Sequence, residues 1–306
     1  MGLDSPTPGT PPTAGSVPFP SQKGAVKPLT LQEIWRQTLQ NPGPEEDSFS
    51  LACLFQKAFG VERARLPLCG EREPSPAQEE QFAQLRARLQ AGEPLQYLVE
   101  EWEFFGLPFQ VGPGVLIPRP DTETLVECAL SLLEGTAAPR IADLCAGSGA
   151  VAVAIGHTLP DAQITALELS PQAFSYLEKN IARNRASNVH PLLADVLAPP
   201  KGLPPLDLVV SNPPYIRRAD LPGLERQVQW EPEMALDGGE DGLGFYRALP
   251  GLWRPLLKPG GWIAFEVGYD QAEPVADLLG AAGYRQVGHF NDPTGISRVV
   301  AAQKPL

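Results

Sequence analysis

The chain has 306 residues, 43% apolar and 20% charged, enough for one large domain or two smaller ones with a substantial core. A formal net charge of −12 argues against a protein that grips nucleic acid electrostatically. Its four cysteines (Cys53, Cys69, Cys128, Cys145) show no Cys-x-x-Cys spacing and stand beside only three histidines, so free thiols in a reducing cytosol and no metal are expected.

Residues 1–28 are rich in Pro, Thr, Ser and Gly and are expected to form a disordered tail, having too little apolar surface to offset the entropy of ordering. No apolar core follows basic residues there, and no later run reaches membrane-spanning length. A cytoplasmic protein without a membrane partner is therefore expected. Residues 29–92 read as a small helical bundle. Leu31, Ile34, Trp35 and Leu39 share one helical face, and Leu51, Leu54, Phe55 and Phe59 share a second. Phe82, Leu85 and Leu89 point inward from a third helix beginning near Pro76, and Gly60 and Gly92 stand where helices should stop. In the segment 93–118, Tyr97, Trp102, Phe104, Phe105 and Phe109 alternate with small or polar residues around Gly106, which predicts a β-hairpin linker.

From Arg140 onward strand and helix patterns alternate. Strands are predicted at 141–144, 164–169, 206–210, 262–267, 286–290 and 298–301, and helices near 150–157, 171–185, 245–256 and 271–281. This predicts an α/β fold with a doubly wound, mostly parallel sheet. Such sheets bind ligands outside the carboxyl ends of their strands.

The chemistry-bearing residues fall at those ends. The first strand runs through Asp143 into Cys145, Ala146, Gly147, Ser148 and Gly149, whose small side chains let a ligand approach the backbone. The helix that follows offers its N-terminus to an anionic group. Glu168 closes the second strand 19 residues past Gly149 (168 − 149), near the offset at which an acid meets ribose hydroxyls. Asp195 and Val196 end a further strand that leads through Leu193 and Ala194, ahead of the one at 206–210. The strand at 206–210 opens into Asn212-Pro213-Pro214-Tyr215: an amide acceptor, two stiffening prolines and an aromatic ring, suited to a flat neutral NH2 group. Together these ends point to a nucleoside-type cofactor.

From Leu29 to the C-terminus the chain resembles the release-factor glutamine methyltransferase family (HemK-type). The segments carrying the resemblance are Gly92 to Leu98, Ile117-Pro118-Arg119-Pro120-Asp121-Thr122-Glu123, the glycine loop and Asn212 to Tyr215, followed by Glu231-Pro232, Gly238 to Gly242 and Glu266-Val267-Gly268. The resemblance implies a class I methyltransferase-type fold over 119–306, with 29–92 recognising the substrate. It implies S-adenosylmethionine as methyl donor, S-adenosylhomocysteine as product, and the Gly-Gly-Gln glutamine of class I peptide chain release factors as acceptor. By it, Asp143 and Cys145 to Gly149 hold the methionine end of the donor, with Asn212 at its edge. Glu168 holds the ribose, and Asp195 and Val196 border the adenine. Asn212 to Tyr215, with Phe104, bind the glutamine. Where relatives often carry Gly and an aromatic, this chain has Cys145 and Val196.

The chemistry of Asn212 and Pro213 follows on physical grounds. An amide nitrogen attacks a sulfonium methyl only when its lone pair is turned out of conjugation. The Asn212 side-chain oxygen and the Pro213 carbonyl can accept its two N–H bonds and hold it so, with proline rigidity aiming that carbonyl in advance. Exocyclic amines of adenine or cytosine in DNA or RNA are also flat, and remain an alternative that the acidic charge disfavours. A ribosomal-protein glutamine is another, and a non-catalytic binding module a third. A monomer without a stable nucleic-acid partner is expected.

Overall fold

A computed structural model describes residues 28–306; the tail expected over 1–28 therefore lies outside the described residues, save Pro28. The first helix, α1 (Leu31–Gln40), starts where Thr30 and Glu33 exchange hydrogen bonds as a capping box. Asp47 caps α2 (Ser48–Phe59), and α3 (Leu66–Cys69) is a single turn. A second capping box, Ser75 with Gln78, opens α4 (Pro76–Gln90). Leu31, Leu54, Phe55, Phe59, Phe82, Leu85 and Leu89 form the core of this bundle, with Phe55, Phe59 and Phe82 in mutual ring contact. Leu39, expected on the buried face, is exposed instead; Thr38 takes the inward position at that end of the helix.

The segment 93–118 departs from a simple hairpin. Leu95–Val99 forms a short helix, α5, ended by Glu100 at φ 65°. Only β1 (Glu101–Phe104) and β2 (Leu107–Gln110) pair as a hairpin, turning through Phe105 and Gly106. The aromatic alternation misplaced Tyr97, because a five-residue helix is too short to show its period. Tyr97 instead sends its hydroxyl to the Val115 carbonyl at 2.6 Å.

The remainder is a three-layer α/β unit. Its elements are α6 (Glu123–Leu132), β3 (Arg140–Leu144), α7 (Ala150–Thr158), β4 (Gln163–Glu168), α8 (Pro171–Arg183), β5 (Val189–Leu193) and β6 (Leu206–Ser211). They continue with α9 (Gly244–Trp253), β7 (Leu257–Glu266), α10 (Ala272–Ala281), β8 (Arg285–Asn291) and β9 (Ser297–Gln303). The seven-stranded sheet has the order β5-β4-β3-β6-β7-β9-β8, and only β9 runs antiparallel to the rest. Successive strand residues point to opposite faces. Ile141, Leu208 and Val210 meet α6, α7 and Leu177 of α8, whereas Leu144, Val209 and Ile263 meet Tyr246, Trp253 and Val275 of α9 and α10. Helix α6 was not anticipated; Glu123, Glu127 and Ser131 recur every four residues on its outer side, and Leu125, Val126, Cys128 and Ala129 are buried.

Strand order reverses between β3 and β6. Their carboxyl ends are tied by the Ser211 hydroxyl, which donates to the Leu144 carbonyl at 2.7 Å. The ligand-binding crevice of a doubly wound sheet opens at this point.

Candidate active site

A cavity opens above the carboxyl ends of β6, β3, β4 and β5, which are neighbours in that order. Neighbouring strands lie about 4.8 Å apart, so these four ends span roughly 14 Å. Asp143, Cys145, Ala146, Gly147, Ser148, Glu168, Asp195, Val196, Asn212 and Pro214 all line the cavity.

The Asp143 carboxylate is 2% exposed and accepts the Ala152 N–H of α7 at 3.0 Å, locking the loop between strand and helix. Burial pushes its pKa up to about 8; the Ala152 bond opposes that rise and the charge of Glu168 adds to it. Glu168 is held from two sides, its carboxylate oxygens accepting Gly147 N–H at 2.8 Å and Ser170 N–H at 2.7 Å. Asp195 caps its own turn through Leu197 N–H at 2.8 Å, and the Val196 carbonyl is anchored by the indole N–H of Trp253 at 2.9 Å.

At the β6 end, Asn212 is half-buried and its side-chain N–H donates to the Thr122 hydroxyl at 3.3 Å. That bond commits the nitrogen end of the amide and leaves Oδ1 as the acceptor. Pro213 and Tyr215 do not line the cavity directly. The Tyr215 backbone is secured by Gln271, whose side-chain N–H donates to the Tyr215 carbonyl at 3.0 Å, and its ring packs against the apolar layer under α9 and α10. Burial raises the Tyr215 hydroxyl well above its ordinary pKa. Gly149 starts α7 behind the cavity wall.

Phe104 is not brought to the cavity. Its ring is 2% exposed, edge-on to Phe109 at 6.0 Å, within the core that includes α6 and α7. A β1 residue facing the sheet is drawn into that core.

Several cavity residues were not singled out as site residues from sequence. Gly114 to Arg119 and Thr122 form part of the lining; Pro232, Met234, Ala235 and Phe245 form more of it. Leu169 and Leu197, large apolar side chains that are about half exposed, flank the two acids. For Ile117 to Arg119, Thr122 and Pro232 the signal was present in Ile117 to Glu123 and Glu231-Pro232, which carried the resemblance without assigned roles; the other lining residues belong to neither segment.

The donor set fits S-adenosylmethionine. Small residues and an α-helix N-terminus follow β3, a backbone-anchored carboxylate ends β4, and an acid among apolar Val196, Leu169 and Leu197 follows β5. These suit, strand by strand, an amino-acid end, a diol and a flat base. Among the described residues no group of three or more His, Cys, Asp or Glu is placed to hold a metal ion, and no helix is long and apolar enough to cross a membrane.

Known proteins agree with this geometry. Residues 30–99 match the family described as PrmC N-terminal domain, and residues 121–226 the Methyltransferase small domain. The solved hMettl16 catalytic domain, in complex with MAT2A 3'UTR hairpin 1, shares the fold at TM-score 0.56 and 17% identity, covering 71% of this chain and 80% of that one. Fold and site define an S-adenosylmethionine-dependent methyltransferase of the class I type. Release factor glutamine methyltransferase of Moorella thermoacetica is 43% identical over 265 residues, covering 86% of this chain and 93% of that protein, and that of Geobacter sulfurreducens 40% over 281 residues, covering 89% and 98%. The chain belongs to the release factor glutamine methyltransferase family.

Proposed function

We propose that this protein transfers a methyl group to the side-chain amide nitrogen of the glutamine in the Gly-Gly-Gln loop of class I peptide chain release factors. The donor is S-adenosylmethionine and the product S-adenosylhomocysteine. The observation that carries this is the placement of Asn212 on the same cavity as Glu168 and Asp195, so that an amide acceptor and nucleoside-gripping groups share one space. The substrate follows from the names of the relatives, both release factor glutamine methyltransferases.

When bound, S-adenosylmethionine supplies the electrophilic methyl. The chain supplies orientation. Thr122 fixes the Asn212 amide so that Oδ1 accepts one N–H of the incoming glutamine, and the Pro213 carbonyl accepts the other. Two acceptors at set positions hold the nitrogen lone pair out of conjugation and on line with the methyl. Such alignment can contribute up to ~7–11 kcal/mol. No base is required before attack, because the proton leaves a nitrogen that has already become cationic.

In this account residues 29–92 recognise the release factor, 93–118 join that unit to the catalytic one, and 119–306 hold donor and glutamine. The work is done in the cytoplasm, with translation termination factors as partners. Mass spectrometry of a release factor treated with the protein and donor tests it. One methyl group on the Gly-Gly-Gln glutamine is expected. An unmodified glutamine, or label entering DNA, RNA or a ribosomal protein instead, refutes it.

A further inference from the structure

Helix α8 and its C-cap carry a stripe of residues four apart: Gln172, Tyr176 and Asn180 on the helix and Asn184 at the cap. The chain from β2 onward lies along it in antiparallel order: Pro108, Gln110 and Gly112 match successive steps of four helical residues, and a turn closed by the Val115 N–H on the Gly112 carbonyl then brings Gly114 to the last. Asn184 donates to the Pro108 carbonyl at 3.0 Å. Asn180 accepts Gln110 N–H at 2.6 Å and donates to the Gln110 carbonyl at 3.0 Å, pairing with that residue as a neighbouring strand would. The backbone passes close to Tyr176 at Gly112 and close to Gln172 at Gly114, where any Cβ would collide with those side chains. From Pro108 to Gly112 the lengths agree, since four helical residues rise about 6.0 Å and two extended residues about 6.6 Å.

Asn180 is fully buried and makes one bond more: its side-chain N–H also donates to the Ser148 carbonyl at 2.9 Å. Ser148 belongs to the loop after β3, while Gly114, the last residue in register with the stripe, begins the cavity wall that continues to Arg119. A single amide therefore holds both the donor loop and the segment leading into another wall. With its oxygen and both N–H bonds in use, no other orientation of the group satisfies these partners.

We propose that Asn180 is a positioning residue that sets the donor loop against the 110–114 segment, so that donor binding and placement of that segment are coupled. This rests on the assignment of the loop to S-adenosylmethionine. Substituting Asn180→Asp keeps size and the acceptor for Gln110 but replaces the NH2 group that donates to the Gln110 and Ser148 carbonyls with one oxygen that both repel.

The test is calorimetric titration of the full chain with S-adenosylhomocysteine, with KM for the donor measured alongside. Asn180→Asp should weaken binding about tenfold or more, raising donor KM with kcat close to wild type. Asn184→Ala, which removes a bond to the Pro108 carbonyl and one to the Asn180 backbone carbonyl but leaves all three bonds of the Asn180 side chain in place, should leave affinity within about twofold. Wild-type affinity in a less stable Asn180→Asp protein would show a merely structural role and overturn the proposal. Should that variant not fold, amide hydrogen exchange of the wild type decides. Added S-adenosylhomocysteine should raise protection over Leu107–Gln110, which does not line the cavity, and unchanged protection there overturns the coupling. A wild-type protein that binds no S-adenosylhomocysteine would instead refute the donor assignment, a result separable from both.

Discussion

The Glu231 carboxylate accepts hydrogen bonds from both the Arg119 guanidinium and, at 3.0 Å, the Ile117 backbone N–H. It is 5% exposed, and burial pushes its pKa up while Arg119 and the Ile117 bond pull it down. This pair ties Ile117 to Arg119 to the segment carrying Pro232, Met234 and Ala235, and both stretches line the cavity.

Glu231→Ala should therefore loosen two walls at once. It strips a partly buried arginine of its partner, and we expect a loss of about 1.5–3 kcal/mol in urea unfolding, since bonds to charged groups lie in that range. Glu231→Gln should recover part of it. Equal stability of the alanine variant and wild type would contradict the tie.

Asn212→Ala should abolish glutamine methylation while S-adenosylhomocysteine still binds within a few fold of wild type. In the proposed mechanism the Asn212 amide orients the acceptor, and geometric misplacement alone can cost about 10²-fold in rate. Residual turnover near the wild-type rate would sink the orientation account.

Cys145 holds φ 59°, a left-handed backbone conformation that costs a residue with a Cβ about 1–2 kcal/mol. Cys145→Gly should accordingly be more stable than Cys145→Ala by about 0.5–1 kcal/mol, once the extra freedom of glycine in the unfolded chain is deducted. This reverses the usual order of the two residues, and thermal melts of both variants check it.

Glu266 ends β7 fully buried, and burial pushes its pKa from 4.5 up to about 7, opposed by bonds to Thr122 and Tyr215 and by Arg298 and reinforced by Asp121. The folded state thus binds the proton more tightly than the unfolded one. The stabilising contribution of that proton is complete below about 4.5 and is lost as pH rises through about 7. Glu266→Gln, which mimics the protonated form, should gain stability over wild type at roughly pH 8 and show little difference at roughly pH 4 in urea unfolding. Asp143, pushed up to about 8, adds a slope of the same sign. A difference that grows toward low pH would invert the sign and refute this.

The strand-end chemistry was legible in the sequence for a physical reason. An apolar strand run that stops at a loop puts the next residues at the sheet edge, and parallel strands put all such edges on one side. Asp143, Glu168, Asp195 and Asn212 could therefore be assigned together. A very short element was not legible, as α5 shows: five residues carry too little period. Phe104 failed similarly, because nothing local tells a strand aromatic facing a ligand from one facing a core.

By itself, then, the sequence determined which reactive groups stand at which strand ends, since that depends on residue order and a period of two. Only the tertiary structure decided how those groups are held. Arg119 and Glu231 are 112 residues apart, Asn212 and Thr122 are 90 apart, and Asn180 and Ser148 are 32 apart. Such pairs meet only when helices pack across the sheet and the linker closes along α8, and no local pattern in the chain encodes that distance.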